Sequence, residues 1–183
     1  MRCSLKARNR IAEHIQSWNQ LPVVLRQDDD RHTAIYTAQY LIQDAGEAIL
    51  RLLQKGPSPD PHQAYVEFWG LMQAAIIIQD SIDEMHVAVS QAKLSRRSPG
   101  SAWARLRSLR NELAGHPVNQ GNGARRSFMG RNFGPLTAVK YEQRSKGLIT
   151  HPTVNLVSLF NSFDREAAIV LWCMYRRMVR QWP

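Results

Sequence analysis

Apolar residues recur at three- and four-residue intervals along most of the chain, the spacing that gathers them on one face of an α-helix. Over residues 1–20 the stripe is Leu5, Ile11, Ile15 and Trp18, closed by Leu21 and Pro22. The other face carries Arg2, Lys6, Arg8 and Arg10, read as solvated surface with a phosphate contact as the alternative. A second helix is expected from the run Asp28, Asp29, Asp30 to about Lys55, with Ile35, Ala38, Leu41, Ile42, Ala45, Ile49 and Leu52 inside. Carboxylates suit the partly positive amino end of a helix, which favours a helix start over a metal site for that run. The segment from Gly56 to Pro61, with prolines at 57, 59 and 61, then breaks the chain.

A third helix is expected from about Gln63 to Gln91, with Tyr65, Phe68, Trp69, Met72, Ile76, Ile82, Met85 and Val89 facing inward. Asp83 and His86 stand three apart on it, a ligand spacing of di-iron bundles. Such a site needs two of these pairs and further carboxylates, so a solvated acidic face is the reading taken and no metal is expected. Lys93 to Gly100, with Arg96, Arg97 and Pro99, forms a basic loop. It leads to a helix whose stripe is Trp103, Leu106, Leu109 and Leu113. Gly115, His116 and Pro117 end that helix: Gly suits the position just past a helix, and Pro117 drives His116 out of the helical region.

Residues 119–126, with two glycines, two asparagines, Arg125 and Arg126, read as an exposed loop that can hold a phosphate. Ser127 to Tyr141 reads as a small hairpin turning around Gly130, Gly134 and Pro135. From Pro152 the helical spacing returns in Val154, Val157, Phe160, Phe163, Ala167, Val170, Leu171, Met174 and Met178. This helix ends on Arg176, Arg177 and Arg180. Alternation of strand and helix is absent. The expectation is an all-α bundle of about four to five helices in a single domain, 1–183, with a hairpin between the fourth and last helices.

Candidate chemistry lies at the end of the fourth helix. At about 100° per residue Arg110 falls inside the edge of the apolar stripe, near Leu106 and Leu113. A guanidinium stays charged, so that position needs a partner charge, a wet cleft or an anionic ligand. Asn111 follows it directly. His116 stands six residues on, about 9 Å of helical rise away, where the helix carboxyl end favours imidazolium. Glu112, four residues before His116, is placed to orient it. The plain alternative is that Arg110 extends to solvent and His116 caps the helix.

Arg110, Asn111, four residues and then His116 resemble the R-N-x-x-x-x-H signature of the HEPN superfamily (higher eukaryote and prokaryote nucleotide-binding domains). The following Pro117 and the helical setting are also similar to that family, and the likeness in sequence covers residues 103–117. It implies a helical bundle that dimerises. It further implies a metal-independent endoribonuclease, of the kind found in toxin–antitoxin pairs, phage defence and RNA processing. Arg110, Asn111 and His116 are then the catalytic residues, with Glu112 supporting them. Arg107, Arg125 and Arg126 contact the RNA. No cofactor is implied, and an antitoxin partner such as a nucleotidyltransferase-type protein is one further implication. Two other readings remain open: a HEPN-like module that binds nucleotide, RNA or a partner without catalysis, and an unrelated helical interaction protein.

Charge agrees with a polyanionic partner. The chain has 183 residues and a net charge of +9, with a pI near 10.2. Such an excess favours nucleic acid or an anionic membrane surface without choosing between them. The apolar run at residues 74–78 is far too short to span a bilayer, and the first residues do not resemble a signal peptide. Cys3 and Cys173 form neither a disulfide framework nor a zinc pattern. A reduced, cytoplasmic protein without membrane association is the expectation.

Overall fold

Among the described residues five α-helices account for most of the ordered elements, and a small antiparallel sheet stands between the last two. The structure is a computed structural model that describes residues 1–17, 29–95, 97–115, 125–129, 137–144 and 149–182. The helices are α1 (Arg2–Ser17), α2 (Asp29–Lys55), α3 (Pro61–Ser90), α4 (Ala102–Arg110) and α5 (Leu156–Gln181). α4 continues into a single π-helical turn, Asn111–Gly115. No helix among the described residues is long and apolar enough to cross a membrane.

Local chemistry accounts for several boundaries. At the proline-rich break, Gly56 adopts φ +80°, a left-handed conformation that suits glycine. Asp60 then caps α3, its carboxylate accepting from the His62 amide at 2.8 Å, and Pro61 occupies the first turn, where its missing N–H costs nothing. α2 begins at Asp29, so Asp29 and Asp30 of the acidic run open the helix, and Asp28 lies outside the described residues. At the far end of α3, Arg31 donates to the Ala88 carbonyl and Arg177 to that of Ser90, satisfying orphan carbonyls.

One hydrophobic cluster runs through all five helices. α3 and α5 supply its largest shares, α5 with Phe160, Phe163, Ala167, Leu171, Met174 and Met178 buried. α1 packs on α5 and runs in the same direction, since Ser4 meets Asp164 and His14 meets Tyr175. α3 packs against α2, α4 and α5. α1 also lies close on α2: a Cβ added at Gly46 would stand 2.9 Å from Leu5 Cδ2.

Several single positions differ from the periodic expectation. Arg8 belongs not to the solvated face but to the α1–α2 contact. It is buried, and its Nε donates to the Gln39 carbonyl at 3.0 Å. Burial lowers its pKa, while Tyr40, Glu47 and Asp44 support the charge. Leu41 and Trp69, expected inside, are exposed because the inward stripe is narrower than the count of apolar residues suggests. Trp18 lies outside the described residues.

The expected hairpin is present and longer than expected. β1 (Arg125–Met129) pairs antiparallel with β2 (Thr137–Arg144), Phe128 standing opposite Tyr141. Arg125 and Arg126 therefore begin a strand rather than end a loop. On the other edge of β2 lie two short strands that periodicity did not reveal, β3 (Ile149–Thr150) and β4 (Thr153–Asn155). Asn155 then caps α5 through the Ser158 amide at 2.8 Å, so Val154 belongs to a strand and not to the last helix.

Asp164 carries an unusual share of the α1–α5 contact. Its buried carboxylate accepts from the Cys3 amide (2.9 Å), the Ser4 amide (2.9 Å) and the Ser4 hydroxyl (2.6 Å). Burial pushes its pKa up, but the bonds from Ser4 and Cys3 and the nearby Met1 amino group outweigh that and leave it below the ordinary range. A depressed folded-state pKa contributes stability above the unfolded value of about 3.9 and loses it as pH falls through the folded value. Asp164→Ala should cost on the order of 3 kcal/mol at pH 7, since it strands the Cys3 and Ser4 amides and removes a third bond from the Ser4 hydroxyl. Urea unfolding at pH 7 and pH 3 checks this: the gap between wild type and variant should shrink at pH 3, and an equal gap would disprove the assignment.

Candidate functional site

The fourth helix is held at its start by three neighbours. Ser101 caps it, accepting from the Ala104 amide at 3.1 Å. The Glu166 carboxylate, from α5, accepts from the Ala102 and Trp103 amides at 2.8 and 2.9 Å. From α3, the wholly buried Gln79 donates to the Trp103 carbonyl at 3.0 Å and accepts from Arg107 Nε at 2.9 Å. Trp103 also meets Phe163 edge-on, ring centroids 5.5 Å apart. Trp103, Leu106, Leu109 and Leu113 are all buried, as the stripe requires.

Beyond Arg110 the helix widens into the π-helical turn that carries Asn111, Glu112 and Leu113. Such turns insert a residue into the helical ladder and are frequent at functional sites. Arg110 is half-buried at the edge of the stripe. Its Nη1 donates to Asn111 Oδ1 at 3.2 Å and its Nη2 to Gln73 Oε1, on α3, at 3.3 Å. Both acceptors are neutral amides, so the guanidinium is positioned without being neutralised. Asn111, exposed, is thus tied to Arg110, and Glu112 accepts from the Ser108 hydroxyl at 2.9 Å.

The other expected contacts divide. Arg107 donates to Gln79 and to the Asp80 carboxylate, so its charge is paired. β1 packs on the π-helical turn and brings the exposed Arg126 to that end of the bundle. Arg125 starts the same strand. His116 and the glycine-rich 119–124 segment lie outside the described residues. Asp83 and His86 do not form a cation site: His86 Nδ1 faces the Ala92 carbonyl at 2.9 Å and the Ser90 hydroxyl at 3.1 Å. Among the described residues no group of three or more His, Cys, Asp or Glu side chains could hold a metal ion.

Gln73, Gln79, Asp80 and Glu166 could not be picked from the sequence. Each acts on α4 from another helix, across 24 to 64 residues of chain, and a polar residue on a helix carries no local mark of its partner. Compared with protein-family models, curated proteins and solved structures, the chain matches none.

Arg110→Ala should change the unfolding free energy by less than about 1 kcal/mol, because only two long bonds to neutral groups are lost. Leu106→Ala, in the wholly buried stripe, should cost about 2–5 kcal/mol. Denaturant titration of both variants distinguishes a cation held for a ligand from one required by the fold. A large loss in Arg110→Ala would contradict the former.

Proposed function

We propose that this chain is a metal-independent endoribonuclease of HEPN type, with Arg110, Asn111 and His116 as its catalytic residues. The observation that carries the reading is the half-buried Arg110 guanidinium, held by neutral amides at a π-helical turn and lacking a carboxylate partner among the described residues. A cation placed in this way is available to an anionic ligand. The helical bundle and the net charge of +9 support the same reading.

In this mechanism the ribose 2′-hydroxyl attacks the adjacent phosphorus and the 5′-oxygen leaves, giving a 2′,3′-cyclic phosphate and a 5′-hydroxyl end. Arg110 grips the non-bridging oxygens and stabilises the charge that grows on them. Asn111 holds the guanidinium in register. His116 serves as base or acid. A two-fold homodimer supplies the second imidazole, so that one takes the 2′ proton while the other protonates the leaving oxygen. Arg126 and Arg125 track the RNA backbone from β1, and an antitoxin-type partner controls the activity in a toxin or defence setting.

His116→Ala and Arg110→Ala should each lower cleavage of a mixed RNA by roughly a hundredfold or more while helical content is unchanged. Chelator should leave the wild-type rate unaltered, and DNA should survive because it lacks the attacking hydroxyl. RNA retention without cleavage by the wild-type chain would instead identify a binding module.

Arg107 offers a separate check on the RNA surface. Its ion pair with Asp80 is solvent-exposed and contributes at most about 1 kcal/mol to stability. Asp80→Ala should therefore free a cation, tightening RNA binding and steepening its salt dependence by about one phosphate contact. An unchanged slope would place Arg107 away from the bound strand.

A further inference from the structure

Arg97, in the segment joining α3 to α4, is the least satisfied cation among the described residues. Its Nε and Nη2 atoms are shut off from water and have no hydrogen-bond acceptor among the described residues. These two atoms form one edge of the guanidinium, a pair of parallel N–H donors. The guanidinium carbon lies 5.2 Å from the centroid of the Trp103 ring, a cation–π contact that holds the group by its face and leaves the edge for something else. A buried charged donor without an acceptor is costly, so the arrangement calls for a ligand.

A cavity of about 330 Å³ opens beside it, lined by Asp83, Leu94, Arg97, Trp103, Ala104 and Arg107. Arg107 is engaged by Gln79 and Asp80. Asp83 is different: its half-buried carboxyl makes no hydrogen bond or ion pair among the described residues. Burial pushes its pKa up and Asp80 adds to this, against the pull of Arg107, Arg97 and His86. The cavity thus has Arg97 in its lining, the donor pair of that residue still covered, together with a free Asp83 carboxyl and apolar surface from Leu94, Trp103 and Ala104. Its volume stands at the small end of ligand pockets, suited to a ring system rather than to a whole nucleotide.

We infer that this cavity is a guanine pocket, in which the Arg97 edge takes O6 and N7 of the base and the Asp83 carboxylate takes its N1 and 2-amino hydrogens. A paired donor edge meeting O6 and N7 is the commonest way in which arginine reads guanine. The adjacent edge of the same base offers two donors in parallel, which is what a carboxylate accepts. Adenine presents a donor where O6 stands, and the pyrimidines lack N7, so each leaves part of the site unpaired. Phosphate alone satisfies Arg97 and is repelled by Asp83. The Arg97 edge is covered in this structure, so binding includes a side-chain movement that uncovers it.

The pocket stands about 10 Å along α4 from Arg110, counting seven residues from Trp103. Its consequence for cleavage, a preference for guanine beside the cut, rests on the ribonuclease reading; binding of the base does not. Calorimetric titration of the full chain with GMP, IMP, AMP, CMP, UMP and inorganic phosphate tests it. GMP should bind roughly tenfold or more tighter than AMP, CMP, UMP or phosphate. IMP, which keeps O6 and N7 but lacks the 2-amino group, should fall between. Asp83→Asn and Arg97→Ala should each abolish the preference.

No binding, equal binding of GMP and AMP, or equal binding of GMP and phosphate overturns the inference. So does an undiminished preference in Asp83→Asn. Should a variant fail to fold, the ligand series on the unaltered chain decides alone. RNA cleavage without GMP selectivity removes the pocket and leaves the ribonuclease, whereas GMP selectivity without cleavage does the reverse.

Discussion

Two carboxylates on the last helix set the places of the first and fourth. The opening N–H groups of a helix have no partner within it and must find acceptors elsewhere. Asp164 provides them for α1, at Cys3 and Ser4, and Glu166 provides them for α4, at Ala102 and Trp103. The two acids are two residues apart, about 200° around the helix, so the helices they cap stand on different sides of α5. Negative charge at a helix amino end is favourable in its own right, and partial burial strengthens it. The cap at Glu166 also fixes where α4 begins, and hence where its far end, with Arg110 and the π-helical turn, emerges from the bundle.

The basic excess of the chain is distributed unevenly in its effect. Arg8 is absorbed into a helix contact, Arg107 is paired with Asp80, Arg110 rests on neutral amides, and the Arg97 edge has no acceptor among the described residues. Only the last two are held in place with charge to spare, and both belong to the α4 end of the fold. A net charge therefore says little about which cations meet a ligand. What distinguishes them is whether the acceptors around them are charged, neutral or missing. The proposed chemistry at Arg110 and the inferred base pocket at Arg97 follow from that distinction.

The helices themselves were legible. Periodic apolar residues marked all five, and the proline-rich break from Gly56 to Pro61 and the stop at Gly115 and Pro117 were visible in the sequence. The hairpin was legible too, as the span from Ser127 to Tyr141 turning around Gly130, Gly134 and Pro135, though β3 and β4 were too short to show a pattern. Positions at the edges of stripes were read less well. Leu41 and Trp69 are apolar yet exposed, and Arg8 is charged yet buried, because periodicity locates a face and not the width that a neighbour covers.

The sequence by itself determined the class of fold, the approximate helix limits, the stripe of α4 and the spacing of Arg110, Asn111 and His116. These depend on chemistry within a few residues, where backbone geometry converts spacing into direction. Tertiary structure alone decided that Gln73 and Asn111 hold Arg110, that Asp80 neutralises Arg107, and that Arg97 and Asp83 face one cavity without touching. Those outcomes depend on which helix crosses which, at what depth. A side chain's charge is local, but the partner that cancels it, or the gap left where none does, is supplied by a distant part of the chain.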